Sequence, residues 1–113
     1  MWARSFLLGA LVLACALPAS AQQDVETARR HFETGTRAFE TGDYDLSVSE
    51  FSAAYDITGH PDILFNIYSA AERAGRLEVA ADALDRHLRE AQVDAEQRTS
   101  LEQRLGRLRQ RIA

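Results

Sequence analysis

The chain has 113 residues, with 13 arginines set against 17 aspartates and glutamates, and one cysteine, Cys15. That length is a prior for a single domain, and a lone cysteine excludes an intrachain disulfide or a cysteine-built metal site. A formal charge of −4 supplies no basic stripe of the kind that gives affinity for nucleic acid.

Residues 1–21 differ from the rest. Residues 1–5 carry one charge, Arg4, and an unbroken run of apolar or small residues (FLLGALVLACAL, 6–17) follows it. Pro18 and then Ala19-Ser20-Ala21 close the segment. A positive start, a short apolar centre and a small-x-small ending predict a signal peptide over 1–21, cleaved after Ala21. The expected destination is the periplasm of a Gram-negative-type bacterium. A membrane anchor is the competing reading, but a spanning helix needs about 20 apolar residues. The stretch LVLAC (11–15) also resembles a bacterial lipobox, which would make Cys15 a lipidated residue of a membrane-anchored lipoprotein. Leu13 and the continuation of the apolar run past Cys15 count against that alternative.

Arg4 is the only charged residue before Gln22, which leaves 12 arginines against 17 carboxylates over positions 22–113, a formal −5. A domain of this size buries roughly 60% of its unfolded surface, or slightly more. With no disulfide to help, helix packing must supply nearly all of its stability.

From Val25 onward the apolar residues recur at helical spacing. Val25, Ala28, Phe32, Gly35 and Phe39 form one face of a first helix, with Asp24 as its expected N-cap and Gly42 as its stop. Asp43 is placed to cap a second helix whose face is Tyr44, Val48, Phe51 and Tyr55, ended by Gly59. Pro61 fits the first turn of a third helix, where its missing N–H costs nothing. Ile63, Leu64, Ile67, Tyr68 and Ala71 give that helix its apolar face, and Gly75 ends it. A fourth helix uses Leu77, Ala80, Ala81, Leu84, Leu88 and Ala91. Asp94 followed by Gln97 resembles a capping box for a fifth, which carries Leu101, Leu105, Leu108 and Ile112. Connections this short force neighbours to run antiparallel, so the expected fold is all-α, a stack of antiparallel helical hairpins.

Gly42 and Gly75 stand at an offset of 33, and the same offset sets Phe32 on Phe65, Ala38 on Ala71, Ser47 on Ala80 and Phe51 on Leu84. A period of 33 to 34 with two helices per unit is the signature of a helical solenoid. The stretch GDYDLSVSEFSAAYDITGHP (42–61) resembles the second half of a tetratricopeptide repeat, and AGRLEVAADALDRHLREAQ (74–92) repeats the scheme. The first halves depart further from the family, with His31 and Leu64 where it favours Trp, and Ala38 and Ala71 where it favours Tyr. The resemblance implies two repeats, about 28–61 and 61–94, within residues 22–94, followed by a capping helix over 95–113 that covers the last apolar surface.

It also implies a non-enzymatic adaptor that receives another protein or peptide in a concave groove. Mapped onto this chain, the first helix would present Arg29, Phe32, Glu33, Thr36 and Phe39 to the groove. The third would present Asp62, Phe65, Asn66, Ser69 and Arg73. Asn66 offers both a donor and an acceptor to a bound backbone, whereas Phe32 and Phe65 fit a packing role equally well. The family's carboxylate-binding arrangement draws lysine and arginine from three repeats, and this chain has no lysine and two full repeats.

Other polar groups have bland explanations. His31, His60 and His87 lack the partner spacing of a metal site. Asp43 and Asp45 suit a helix N-terminus, since Val48 and Ala54 stand where a calcium loop needs Gly and Glu. Arg104, Arg107, Arg109 and Arg111 complement the negative end of the last helix. No nucleophile–base pair, phosphate loop or carboxylate cleft can be assembled, so neither catalysis nor a cofactor is expected. A second reading is a structural module that dimerises through Leu101, Leu105, Leu108 and Ile112, because two repeats are few for a solenoid.

Overall fold

A computed structural model describes residues 18–113. Residues 1–17, which hold Cys15 and most of the expected signal peptide, lie outside the described residues. The described chain is all-helical: α1 (Ala19–Glu40), α2 (Tyr44–Thr58), α3 (Pro61–Arg73), α4 (Leu77–Glu90) and α5 (Ala95–Ile112). Each helix packs on its predecessor, and the short connections fold every successive pair into a hairpin. None of the described helices is long and apolar enough to cross a membrane.

The turns follow from local chemistry. Asp43 accepts a hydrogen bond from the Leu46 N–H at 3.3 Å and caps α2, and Asp94 accepts one from Gln97 N–H at 2.8 Å and caps α5. Pro61 opens α3 in its first turn. The turns at Gly42 and Gly75 match bond for bond. Asp43 N–H donates to Ala38 O at 2.8 Å and Arg76 N–H to Ala71 O at 2.9 Å, while Gly42 and Gly75 donate to Phe39 O and Glu72 O at 3.2 and 3.1 Å. Both glycines take positive φ, 83° and 73°, a conformation that side chains with a Cβ resist. The offset between Gly42 and Gly75 seen in the sequence is therefore repeated in backbone geometry.

The core lies mainly between α2, α3, α4 and α5, where Val48, Phe51, Leu64, Tyr68, Leu84 and Leu108 are buried. Equivalent positions are filled by small residues at the close approaches: Ser47 and Ala80 are both wholly buried, as are Ala38 and Ala71 to within 5%. The Gly35 backbone passes close beneath the Phe51 ring, and the buried Ser47 hydroxyl donates to the Gly35 carbonyl at 2.8 Å. These two contacts set the spacing of α1 on α2.

Two expectations need correction. The first helix begins at Ala19, not after Asp24, and its N-cap position, Pro18, makes no side-chain capping bond. The reason is that Ala19 to Gln23 contain good helix formers and no breaker, so nothing stops the helix extending upstream. The face expected for α1 is partly kept: Ala28 and Gly35 are buried, joined by Ala38, and Phe39 packs against the core, while Val25 and one side of Phe32 are exposed. On α5, Leu105 and Leu108 are buried within the chain and Leu101 is partly so. Of the four residues considered for self-pairing, only Ile112 stays exposed.

Candidate functional site

Alternate helices α1, α3 and α5 leave two seams between them, each opened into clefts. In the α1–α3 seam a cleft of about 380 Å³ has Val25, Ala28, Phe32 and Ile63 among its apolar walls, with Arg29, His60 and Asp62 at its polar edge. A smaller one of about 240 Å³ lies further along, bounded by Thr36, Phe39, Glu40 and Ser69. In the α3–α5 seam, Phe65 and His87 face Gln97, Ser100 and Leu101 across about 480 Å³. Asn66 lines all three. Among the described residues its amide makes no side-chain hydrogen bond.

The aromatic residues at the clefts, Phe32 and Phe65, are partly buried. The Phe32 ring rests on Phe51 with centroids 5.3 Å apart yet remains 37% exposed. Phe65 tilts against Tyr68 and His87, with both centroid distances 5.6 Å. His87 is itself a tie between helices, its Nδ1 donating to the Pro61 carbonyl at 3.1 Å. His31 does the same on the other side, with Nδ1 2.6 Å from Glu50 Oε2. His60 stands at the N-cap of α3 and borders the larger α1–α3 cleft. Among the described residues no three His, Cys, Asp or Glu gather to hold a metal.

The other residues expected at the groove divide. Thr36 and Ser69 border the smaller cleft, although the Thr36 hydroxyl donates to Phe32 O at 3.0 Å within its own helix. Arg29 borders the larger cleft and pairs with Glu26 at 3.2 Å. Glu33 is exposed on α1 and lines none of these clefts. Arg73 lines none of these clefts but stacks beside one: its guanidinium lies 5.4 Å from the ring centroid of Phe39, which borders the smaller cleft, and 5.9 Å from that of Tyr44, with Nη1 donating to the Tyr44 hydroxyl at 3.4 Å. A cation over two ring faces is held by their quadrupoles, and Arg73 thereby fastens α3 to the α1–α2 hairpin.

Several residues at the clefts were not anticipated from sequence. Gln97, Ser100 and Leu101 enter because α5, packed on α4, comes alongside α3 across the cleft, and Val25 enters because it lies exposed on α1. A further cleft of about 320 Å³ at the far end of the α3–α5 seam is lined by Tyr68 and Glu72 on one side and by Arg104, Arg107 and Arg111 on the other. Burial pushes the Tyr68 phenol above its ordinary value. The Tyr55 phenol is raised too, chiefly by its hydrogen bond to Glu90 at 2.9 Å. That bond, with Arg86 donating to the same hydroxyl at 2.8 Å, ties α2 to α4.

Comparison with protein-family models, with curated proteins and with solved structures found no match.

Proposed function

We propose that this chain is an exported, non-enzymatic adaptor of the tetratricopeptide type, which binds a segment of another polypeptide along the inner seams of α1, α3 and α5. The observation that carries the reading is Asn66, an amide without a side-chain partner among the described residues, at the meeting point of three clefts. A polypeptide backbone presents one N–H and one C=O per residue, which is what an asparagine amide can satisfy. Half-exposed Phe32 and Phe65 on either side give apolar side chains somewhere to pack. The recurrence of both turn geometry and small core residues at the Gly42-to-Gly75 offset supports the tetratricopeptide assignment.

Export fits the same arrangement. Cleavage after Ala21 would remove only the first residues of α1, and the first buried residue of that helix is Ala28. The mass of the chain recovered from an envelope fraction separates cleavage at that bond from lipidation at Cys15.

The groove is tested by selecting binders from a random peptide library on the immobilised chain, then measuring their affinity for an Asn66→Leu variant. Loss of two hydrogen bonds at about 1 kcal/mol each predicts affinities weaker by roughly tenfold or more. Failure to enrich any peptide, or equal affinity for both proteins, would remove the groove reading.

A further inference from the structure

Four of the seven arginines of α4 and α5 have carboxylate partners. Arg86 and Arg89 pair within α4 and Arg98 within α5, while Arg109 reaches Asp85 across helices at 3.5 Å. Arg104, Arg107 and Arg111 behave differently. They stand at i, i+3 and i+7 on one face of α5, a spacing that brings side chains together, and form no ion pair among the described residues. All three line the cleft of about 320 Å³ whose opposite wall is Tyr68 and Glu72 of α3.

Three guanidiniums here face a single carboxylate, and Glu72 Oε2 already accepts the Tyr68 hydroxyl at 3.2 Å. Arg104 stands close enough to the phenol to influence its ionisation. The cleft therefore presents a surplus of forked, planar donors to whatever enters it, in a chain that is otherwise acidic. Such donors match the two oxygens of a carboxylate.

We infer that this cleft is an anion-recognising subsite, which takes aspartate or glutamate side chains of the polypeptide bound in the groove. The inference rests on the groove reading and gives its partner a chemistry. The cleft continues the same α3–α5 seam that Asn66 and Ser100 line nearer the N-terminal ends of the two helices. Ser100 to Arg107 is about 10 Å along a helix, the span of about three extended residues. One extended segment thus reaches from the Asn66 amide to the arginines, its backbone met at one end and its carboxylates at the other. A bilayer headgroup fits less well, because the arginines flank a cleft between two helices and Glu72 shares its wall.

The test repeats the peptide selection on the full chain and on an Arg104→Gln, Arg107→Gln, Arg111→Gln variant. All three residues are exposed, so the circular dichroism spectrum is expected to be unchanged. Peptides enriched on the unaltered chain should be rich in Asp and Glu, and the variant should enrich peptides without that bias. An enriched acidic peptide should bind the variant roughly tenfold more weakly at low salt, as for three partly exposed ion pairs, with the difference shrinking as salt is added. Its glutamine-substituted counterpart should bind both proteins alike. Enrichment without acidic bias, or a bias that survives in the variant, overturns the subsite and leaves the groove standing. No enrichment at all overturns both. Arginine-dependent sedimentation with phosphatidylglycerol vesicles, without acidic bias in the peptides, would assign the cleft to a membrane and overturn the proposal.

Discussion

Gly35 and Gly106 are both interior helical glycines, and replacing each with alanine should move stability in opposite directions. A Cβ on Gly35 would meet Phe51 Cδ1, Cε1 and Cγ at 2.8, 2.9 and 3.2 Å, whereas a Cβ on Gly106 meets nothing within 4 Å. The intrinsic gain from alanine in a helix is about 1 kcal/mol at either site. At Gly106 that gain should be expressed almost in full. At Gly35 the Phe51 ring has little room to retreat, because Phe32 lies against it and its Cγ, near the root of the side chain, is among the atoms met. The hydroxyl of Ser47 also holds the Gly35 carbonyl, which resists separation of the helices. Overpacking of this kind costs about 1–3 kcal/mol, and the upper half of that range leaves Gly35→Ala destabilised by about 1–2 kcal/mol net. Thermal melts followed by circular dichroism should show Gly106→Ala higher by roughly 4–8 °C and Gly35→Ala lower by a similar amount or more. Adding Phe51→Leu to Gly35→Ala should cost less than the two changes separately, as expected for residues in contact. If Gly35→Ala raises the melting temperature as Gly106→Ala does, the close approach of α1 to α2 is not a stabilising contact.

Ser47→Ala removes the buried hydrogen bond to Gly35 but fits sterically, since alanine fills the equivalent wholly buried position 80. The expected loss is about 1 kcal/mol, read as a lower urea midpoint at unchanged slope; no shift would mean the bond contributes nothing. Tyr68 supplies a pH prediction. Its phenol is raised above 10.0 by burial, so the unfolded chain releases this proton first as pH rises. Stability should be intact below about pH 10 and fall above it, and Tyr68→Phe should flatten part of that fall in urea titrations. Tyr55 is raised as well and leaves a residual slope, so an unaltered alkaline profile in Tyr68→Phe would contradict the burial argument.

What the sequence made legible was local. Asp43, Gly59, Pro61 and Asp94 each act through bonds to residues within one turn, so their roles as caps and breakers can be read from neighbours alone. The repeat offset was legible because small residues at 47 and 80 serve the same close approach. The start of α1 was not, since Asp24 is a good cap only if something ends the helix before it, and Ala19 to Gln23 do not. The period sets Asn66 on the same side of α3 as Asp62 and Ser69, and each of the three lines at least one of the clefts. The stacking of Arg73 was not legible, because its partners, Phe39 and Tyr44, come from the preceding hairpin, and cation–π pairing over such a distance leaves no pattern along the chain. The arginines of α5 looked like ordinary charge at a helix C-terminus. Only the packing of α5 on α4, which sets it across a cleft from α3, shows that three of them share that cleft with Tyr68 and Glu72.

That same packing makes α5 an element on which both the clefts beside α3 and the core depend. Leu105 and Leu108 are 5% and 2% exposed and belong to one cluster with Leu84 and Leu88 of α4. Deleting residues 94–113 would withdraw two buried leucines, worth about 1.5–3 kcal/mol each, and uncover the α4 residues they shield. A loss of about 3–6 kcal/mol is comparable with the whole margin of a domain this small. The shortened chain should therefore melt without a cooperative transition, or cover the exposed face by pairing with a second copy, visible as concentration-dependent sedimentation. The milder Leu105→Ala, Leu108→Ala pair should stay monomeric but melt well below the unaltered chain. A truncated chain that remains a monomer with an unchanged melting temperature would show that α5 merely rests on the stack. The α3–α5 seam would then be too loosely held to position Arg104, Arg107 and Arg111 for recognition.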